Sequence, residues 1–248
     1  MLHSFGIKIQ DCSDAQLTAI DGSVRYQCYI PLASRSKTAL YDAIKKCFWS
    51  YNARDFTVEK IYCNAEFCPV FEPVKDELEV HMNYASRGKH DLKAEQNNQH
   101  LKALFWVHVH RIPFKAIPKK LTVALILRVV KISNYYPAKG GLSEYYSPHM
   151  IMHQRMVDAS KQFVAEIGAY VHSYGHDTKN NMAARMIEGV YMGPTDDIQE
   201  GHRIYDLNTK CKAWRTKIKV LPMTDQVIKI IEEDARLEGV MELRTYSK

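Results

Sequence analysis

The sequence predicts an α/β chain: a mixed sheet with helices on both faces, then a small all-β unit and a closing helix. Three observations predict it. The first third alternates apolar and polar residues in short runs, then switches to a helical period near Thr38. From Phe56 to about Ile132, strand-like and helix-like runs alternate. From Gly168, short β-like runs follow one another between turn residues.

Taken in order, Phe5 to Gln10, Gln16 to Ile20 and Ser23 to Ile30 are expected strands, and Asp21-Gly22 is a hairpin signal. Leu40, Ile44, Cys47 and Phe48 fall on one stripe, which makes Thr38 to Asn52 a helix. Phe56 to Cys63 is apolar and β-branched enough for a fourth strand. Pro69 precedes a short acidic helix from Val70 to Glu79, and His81 to Ala85 is a fifth strand. His90 to Arg111 is a long helix with Ala94, Leu101, Leu104, Phe105 and His108 on its inner face, and Pro113 stops it. Pro118 opens another helix to about Ile132. Three antiparallel strands followed by strand–helix alternation argue for a mixed sheet covered on both sides.

Asn134 to Ser147 is rich in Tyr, Gly, Pro and Ser and is an expected loop, with Ser147-Pro148 starting a short helix. Ala169 to Tyr174, Ile187 to Met192, His202 to Leu207 and Lys212 to Leu221 are expected strands. They suffice for a small β-barrel whose topology the loop lengths do not fix. Thr224 is the expected N-cap of a last helix reaching Leu237.

Composition narrows the classes. The chain has 248 residues, 46% hydrophobic and 25% charged, which argues for a globular protein rather than a disordered one. Its net charge of +6 is compatible with a phosphate-backbone partner without demanding one. Its six cysteines form no CxxC pair, and none of its eleven histidines stands at zinc-finger spacing from them. Free thiols in a reducing compartment are expected. The most apolar run, Leu121 to Ile132, is broken by Arg128 and Lys131 and is too short to span a bilayer. No basic n-region and apolar h-region precede Phe5. The expectation is a nuclear or cytoplasmic chain, not secreted, with no membrane partner.

Four segments carry a family likeness, in order. Ile61-Tyr62-Cys63-Asn64-Ala65-Glu66-Phe67 ends the fourth strand and resembles the Asp-x-x-Glu-Phe signature of Ty1/copia-type retrotransposon integrases. Ala85-Ser86-Arg87-Gly88-Lys89-His90-Asp91-Leu92-Lys93-Ala94-Glu95 resembles the loop and helix start that bring in that family's catalytic Glu. Arg111 to Pro118 is similar to the segment that follows that helix. Met182 to Arg185 and Gly189-Val190-Tyr191, with Gly201 to Leu207, look like the SH3-like barrel downstream of such integrase cores. The resemblance implies a ribonuclease-H-like core over 1–135, a connecting segment with a short helix over 136–165, an SH3-like barrel over 166–223, and a C-terminal helix and tail over 224–248. No zinc-binding module precedes the core and no Tyr-x-Asp-Asp motif follows it, so the chain reads as a fragment of a polyprotein or a decayed copy.

The resemblance implies chemistry as well. Enzymes of this group move phosphodiesters with two Mg²⁺ ions held between carboxylates and the scissile phosphate. The family places an Asp on the first strand, an Asp at the end of the fourth, and an acidic residue on a later helix. Here Glu95 matches the last. The second Asp position is Asn64, which offers a carbonyl oxygen but no charge. The first falls near Lys8, with Asp11, Asp14 and Asp21 as displaced alternatives. The expected catalytic set is therefore Glu95, Asn64 at the position of a lost Asp, and Asp11. The expected metal ligands are Glu95 and Asp11, in a magnesium site that is weak or absent. Gln99 and Lys102 follow Glu95 at i+4 and i+7 on one helix face and, with Lys119 and Lys120, are the expected nucleic-acid contacts. The Lys210 to Lys219 run and the Tyr135-Tyr136 and Tyr145-Tyr146 pairs are further candidates for phosphate contact and base stacking.

Each residue also has a plain structural reading. Asn64 suits an ordinary turn, Glu95 a solvated helix surface, and basic runs are commonly solvated faces. His108 and His110, two apart on a helix, do not share a face and make a poor metal pair. The expected function is that of an integrase-derived, DNA-binding protein with impaired catalysis, homo-oligomerisation being left open. The alternative is a non-enzymatic nucleic-acid-binding or assembly module.

Overall fold

In a computed structural model of the chain, which describes residues 3–12, 16–32, 34–63, 65–84, 92–174, 186–195, 201–240 and 242, the alternating first third forms three strands. These are β1 (His3–Cys12), β2 (Gln16–Asp21) and β3 (Gln27–Pro31). Helix α1 (Lys37–Asn52) starts where the period changes, and the Ser36 hydroxyl caps it by accepting the Ala39 N–H at 3.3 Å. Strand β4 (Phe56–Cys63) follows, then a 3-10 segment (Ala65–Val70), helix α2 (Phe71–Leu78) and strand β5 (His81–Tyr84). The chain divides into two units, Met1–Ala103 with Val129–Val157, and Leu104–Arg128 with Asp158–Lys248. Helices α3 (Leu92–Arg111) and α4 (Lys119–Ser133) carry the chain from the first unit to the second and back.

The first unit holds a five-stranded sheet in the order β3-β2-β1-β4-β5. β2 runs antiparallel to both neighbours, while β1, β4 and β5 are parallel. A register shift sets Phe5 opposite Val58 but Gly6 opposite Lys60, so the alternation of β4 restarts and Ile61 and Cys63 are both buried. One face buries Leu17, Ala19, Val58 and Ile61 against Ile44, Cys47, Phe48 and Tyr51 of α1. Each Leu, Val, Ile or Phe side chain among them contributes about 1.5–3 kcal/mol by leaving water. On the other face the Thr18 hydroxyl, two strand positions from Ile20, donates to Asn98 Oδ1 of α3 at 2.7 Å. Helices therefore cover both faces, as the strand–helix order predicts.

The expected strand from Ser23 begins only at Gln27. The buried Asp21 carboxylate accepts the Ser23 and Arg25 N–H groups at 3.2 Å and that of Val24, which curls residues 22–26 into a turn. Past α4, the Asn134 side chain exchanges both amide hydrogen bonds with the Gln27 backbone at 2.8 Å and continues the β3 edge. The Ser147 hydroxyl caps α5 (Pro148–His153), accepting the Met150 N–H at 3.2 Å.

The second unit contains α6 (Ala159–Gln162), which no sequence period foretells, then β6 (Tyr170–Tyr174), β7 (Met186–Pro194), β8 (His202–Asp206), β9 (Lys212–Arg215), β10 (Ile218–Val220) and α7 (Asp225–Leu237). Its sheet is antiparallel in the order β10-β6-β7-β8-β9. Among the described residues it is open, with β10 and β9 at its edges, rather than a closed barrel. The run expected as one strand from Lys212 to Leu221 splits in two, because its second half returns to pair with β6 instead of continuing along β8. Gly189 lies where β7 and β8 come close: a Cβ there would stand 2.7 Å from the Tyr205 carbonyl oxygen. One face packs Tyr170, Val190 and Tyr205 against Val227 and Ile231 of α7, and Val171, Tyr191 and Ile204 cluster on the other.

Candidate functional site

The end of strand β4 organises the first unit's candidate site. Val58, Ile61 and Cys63 hold the strand in the core, and Phe67, with no exposed surface, anchors the 3-10 segment that leaves it. In Cys63-Asn64-Ala65-Glu66-Phe67 the cysteine and the aromatic are thus core residues. Cys63 sits 3.9 Å from the Asn83 carbonyl oxygen of β5, and burial pushes its thiol up to about 12. Asn64 and Asp14 lie outside the described residues. The strand stops at Cys63 and the 3-10 turn begins at Ala65, so β alternation does not extend to Glu66.

β1 lies beside β4 with Lys8 opposite Tyr62 and Ile9 opposite Cys63. Across its other edge, Lys8 pairs with Ile20, Gln10 with Thr18 and Asp11 with Leu17. Directly opposed positions share a sheet face. The strand positions of Lys8 and Gln10 therefore belong to the Thr18 face, toward α3. That of Asp11 belongs to the Leu17 face, toward α1.

Glu95, half-buried, lies in the first turn of α3, one turn before the buried Asn98, with Asn97 also buried and Gln99 and Lys102 exposed. The helix thus turns Asn98 to the sheet and Gln99 and Lys102 outward. Ala94 and Leu101 are buried as expected, and the two asparagines were not foreseen, because polar residues leave no apolar period to read. Asp21 is engaged with three backbone N–H groups. Burial raises its carboxyl above the ordinary value, against the pull of those N–H groups and of Arg25. That leaves Asp21 a turn-forming role.

In the aromatic loop, Tyr135 packs edge-on against His149 at 5.1 Å, whereas Tyr136, Tyr145 and Tyr146 are exposed at 60%, 85% and 59%. The Ser143 hydroxyl accepts the N–H groups of Tyr145 and Tyr146 at 3.1 and 3.0 Å, which fixes the turn that presents them.

In the second unit, Lys119 and Lys120 open α4 and are exposed. The Lys119 N–H donates to Glu238 at 2.7 Å and the Lys120 ammonium to the Lys210 carbonyl at 2.8 Å. Lys210 itself pairs with Asp234 at 2.9 Å. Lys212 on β9, Lys217 between β9 and β10, and Lys219 on β10 are exposed, and Trp214 on β9, 58% exposed, stands opposite Arg203. The sequence reading missed Trp214, although an aromatic inside a basic run was the signal available. His108 is half-buried and held low by burial and by Arg111, and the His110 ring lies 6.2 Å from that of Trp106. Among the described residues, no group of three or more His, Cys, Asp or Glu is placed to hold a metal ion. No described helix is long and apolar enough to cross a membrane.

Fold and site together define a mixed α/β chain that pairs a parallel–antiparallel sheet with a small antiparallel unit bearing a basic, aromatic edge. No family model matches the sequence, and no curated protein matches it. Among solved structures the chain is similar to one from the cryo-EM structure of the simian T-cell lymphotropic virus intasome in complex with PP2A regulatory subunit B56 gamma. The identity is 9% and the TM-score 0.42, over 90% of this chain and 84% of that one. No residue role follows from a likeness at that level.

Proposed function

We propose that this chain is an integrase-derived nucleic-acid-binding protein of the Ty1/copia type, with a ribonuclease-H-like core, an SH3-like second unit and impaired catalysis. The observation that carries the reading is the sheet order β3-β2-β1-β4-β5 with β1 and β4 parallel, together with β4 ending at Cys63. That order is the one a ribonuclease-H-like core has. It sets the ends of the first and fourth strands side by side, where such a core gathers its carboxylates. The second sheet returns its last strand beside its first, the arrangement of an SH3-like module.

The donor set argues against a working two-magnesium site. Lys8 and Asn64 stand where the family has carboxylates, so Glu95 supplies the remaining negative charge. Asp11, the displaced ligand, occupies a strand position on the α1 face, while the α3 face is the one that leads to Glu95. No metal-dependent step is therefore assigned to this chain. Its chemistry is binding. Gln99 and Lys102 on α3 meet phosphate oxygens from the first unit. Lys119, Lys120 and the Lys212 to Lys219 edge do so from the second, with Trp214 stacking on a base.

Two measurements test this. Affinity for duplex DNA should fall as salt rises, and Lys102→Ala with Lys217→Ala should flatten the slope of log affinity against log salt by about two charges. Failure to bind DNA at low salt defeats the binding reading. In a strand-transfer assay with Mg²⁺ or Mn²⁺ the native chain should be silent, and Lys8→Asp with Asn64→Asp should raise activity above it. Robust joining by the unaltered chain would overturn the claim of impairment.

A further inference from the structure

His108 and His110 do not share a helix face, but a second histidine pair does. His149 and His153 stand four residues apart on α5, so both side chains leave the same side of the helix. Their rings stack, with centroids 4.3 Å apart and planes 24° from parallel. Neighbouring rings hold them in place. Tyr135 packs edge-on against His149 at 5.1 Å, and Tyr26 lies 6.0 Å from His153. Tyr26 meets Tyr51 edge-on in turn, at 5.9 Å. The helix itself is pinned: the His149 N–H donates to the Asn134 carbonyl at 2.9 Å, and Ile151 and Met152 pack into the core of the first unit. Both histidines are half-buried, so each keeps some surface in solvent.

We propose that His149 and His153 form a two-imidazole binding site for a divalent cation of the late first-row transition series. Imidazole nitrogen suits these ions, and affinity for such donors rises along the series to Cu²⁺. The spacing fits. An imidazole nitrogen stands about 2.0 Å from the ion it binds, so two of them on one ion are at most about 4 Å apart. Rings 4.3 Å apart, centre to centre, bring one nitrogen each to a common ion after a small rotation about the side-chain bonds. The flanking tyrosines already restrict the rings, so less freedom is lost when the ion binds. No third His, Cys, Asp or Glu joins the pair among the described residues, so water completes the coordination and leaves exchangeable positions. The site is distinct from the carboxylate set expected at the end of β4. α5 is tied through Asn134 and Tyr26 to the β3 edge, and β2 and β1 lie between that edge and β4. Its nitrogen donors also favour transition metals over Mg²⁺, which prefers oxygen. The inference does not depend on the integrase-like reading.

The test titrates the full chain with Cu²⁺. The exposed thiols of Cys68 and Cys211 would compete for the ion, so both are first replaced by Ser. Calorimetry should then find one tight Cu²⁺ site, and the electron paramagnetic resonance spectrum should carry splitting from two imidazole nitrogens. His149→Phe and His153→Phe each keep a ring in the stack and remove its nitrogens. Each should bind Cu²⁺ about a hundredfold more weakly or worse, because two linked ligands exceed one by about that factor. Cu²⁺ should also raise the Tm of the parent chain and leave that of either variant unmoved. A second measurement needs no variant at position 149 or 153. Brief exposure of the copper-loaded chain to ascorbate and oxygen should produce 2-oxohistidine at His149 and His153 ahead of the other histidines. The site is overturned by equal affinity in parent and Phe variants, by a bound ion without imidazole splitting, or by oxidation spread evenly over the histidines.

Discussion

At the scale of single residues, polar groups decide where the apolar pattern stops. Asp21 shows this best. Its carboxylate is enclosed and collects three N–H groups of its own turn, so β2 ends there and β3 cannot begin before Gln27. Replacing it with Ala orphans those donors at about 1–3 kcal/mol for a buried group. Urea unfolding should register a loss on that scale for Asp21→Ala and a smaller one for Asp21→Asn, whose amide oxygen still accepts. Equal losses for the two would show that the acceptor is not what matters. Asn134 acts in the same way at the β3 edge, where its side chain stands in for a strand residue by bonding both backbone groups of Gln27. Tyr51 is a third instance: its buried hydroxyl donates to the Tyr26 carbonyl at 2.9 Å, and enclosure holds the phenol far above its ordinary range.

At the scale of elements, α7 shows how local signals add up. The Thr224 hydroxyl accepts the Val227 N–H at 3.4 Å, Asp225 stands in the first turn, and Val227, Ile231 and Ala235 form the buried stripe. Gly239, at φ +69°, closes the helix, with its N–H on the Arg236 carbonyl and that of Val240 on the Ala235 carbonyl, both at 3.0 Å. Thr224→Ala should cost about 1 kcal/mol through the lost cap, measurable as a lower unfolding midpoint of the second unit. No change would mean that packing by Ile231 alone sets the start of the helix. The split between β9 and β10 belongs to the same scale and was invisible locally. Lys212 to Leu221 is strand-like throughout, and only the partners, β8 for one half and β6 for the other, divide it.

At the scale of the whole molecule, the half-buried His108 and the buried His202 lead to an expected pH dependence. Burial lowers the pKa of both His108 and His202 below the ordinary 6.5. A histidine depressed in the folded state gives stability that is fully present above the unfolded value and is lost as pH falls through the folded one. The second unit, which contains both, should therefore lose thermal stability as pH drops from about 8 toward about 5. His108→Gln with His202→Gln should reduce that slope relative to the native chain, and an unchanged slope would rule these residues out as its source. Falling pH also adds positive charge to a chain already at +6, so DNA affinity and stability should move in opposite directions over this range.

The sequence by itself determined which residues form elements. β4 runs from Phe56 to Cys63 as its apolar, β-branched composition predicts, and α1, α4 and α7 start where a period change, a proline and a threonine cap place them, because composition, periodicity and capping are local properties. It also determined that Lys8 and Asn64, the positions expected by resemblance to hold two of the metal ligands, carry no carboxylate. Only the tertiary structure decided which strands neighbour which, that the second sheet stays open among its described residues, and that the strand positions of Asp11 and Lys8 belong to opposite faces of β1. Those are pairings between residues distant in sequence. Their free energy comes from partners that no local window contains, so the same residues read alone left them undetermined.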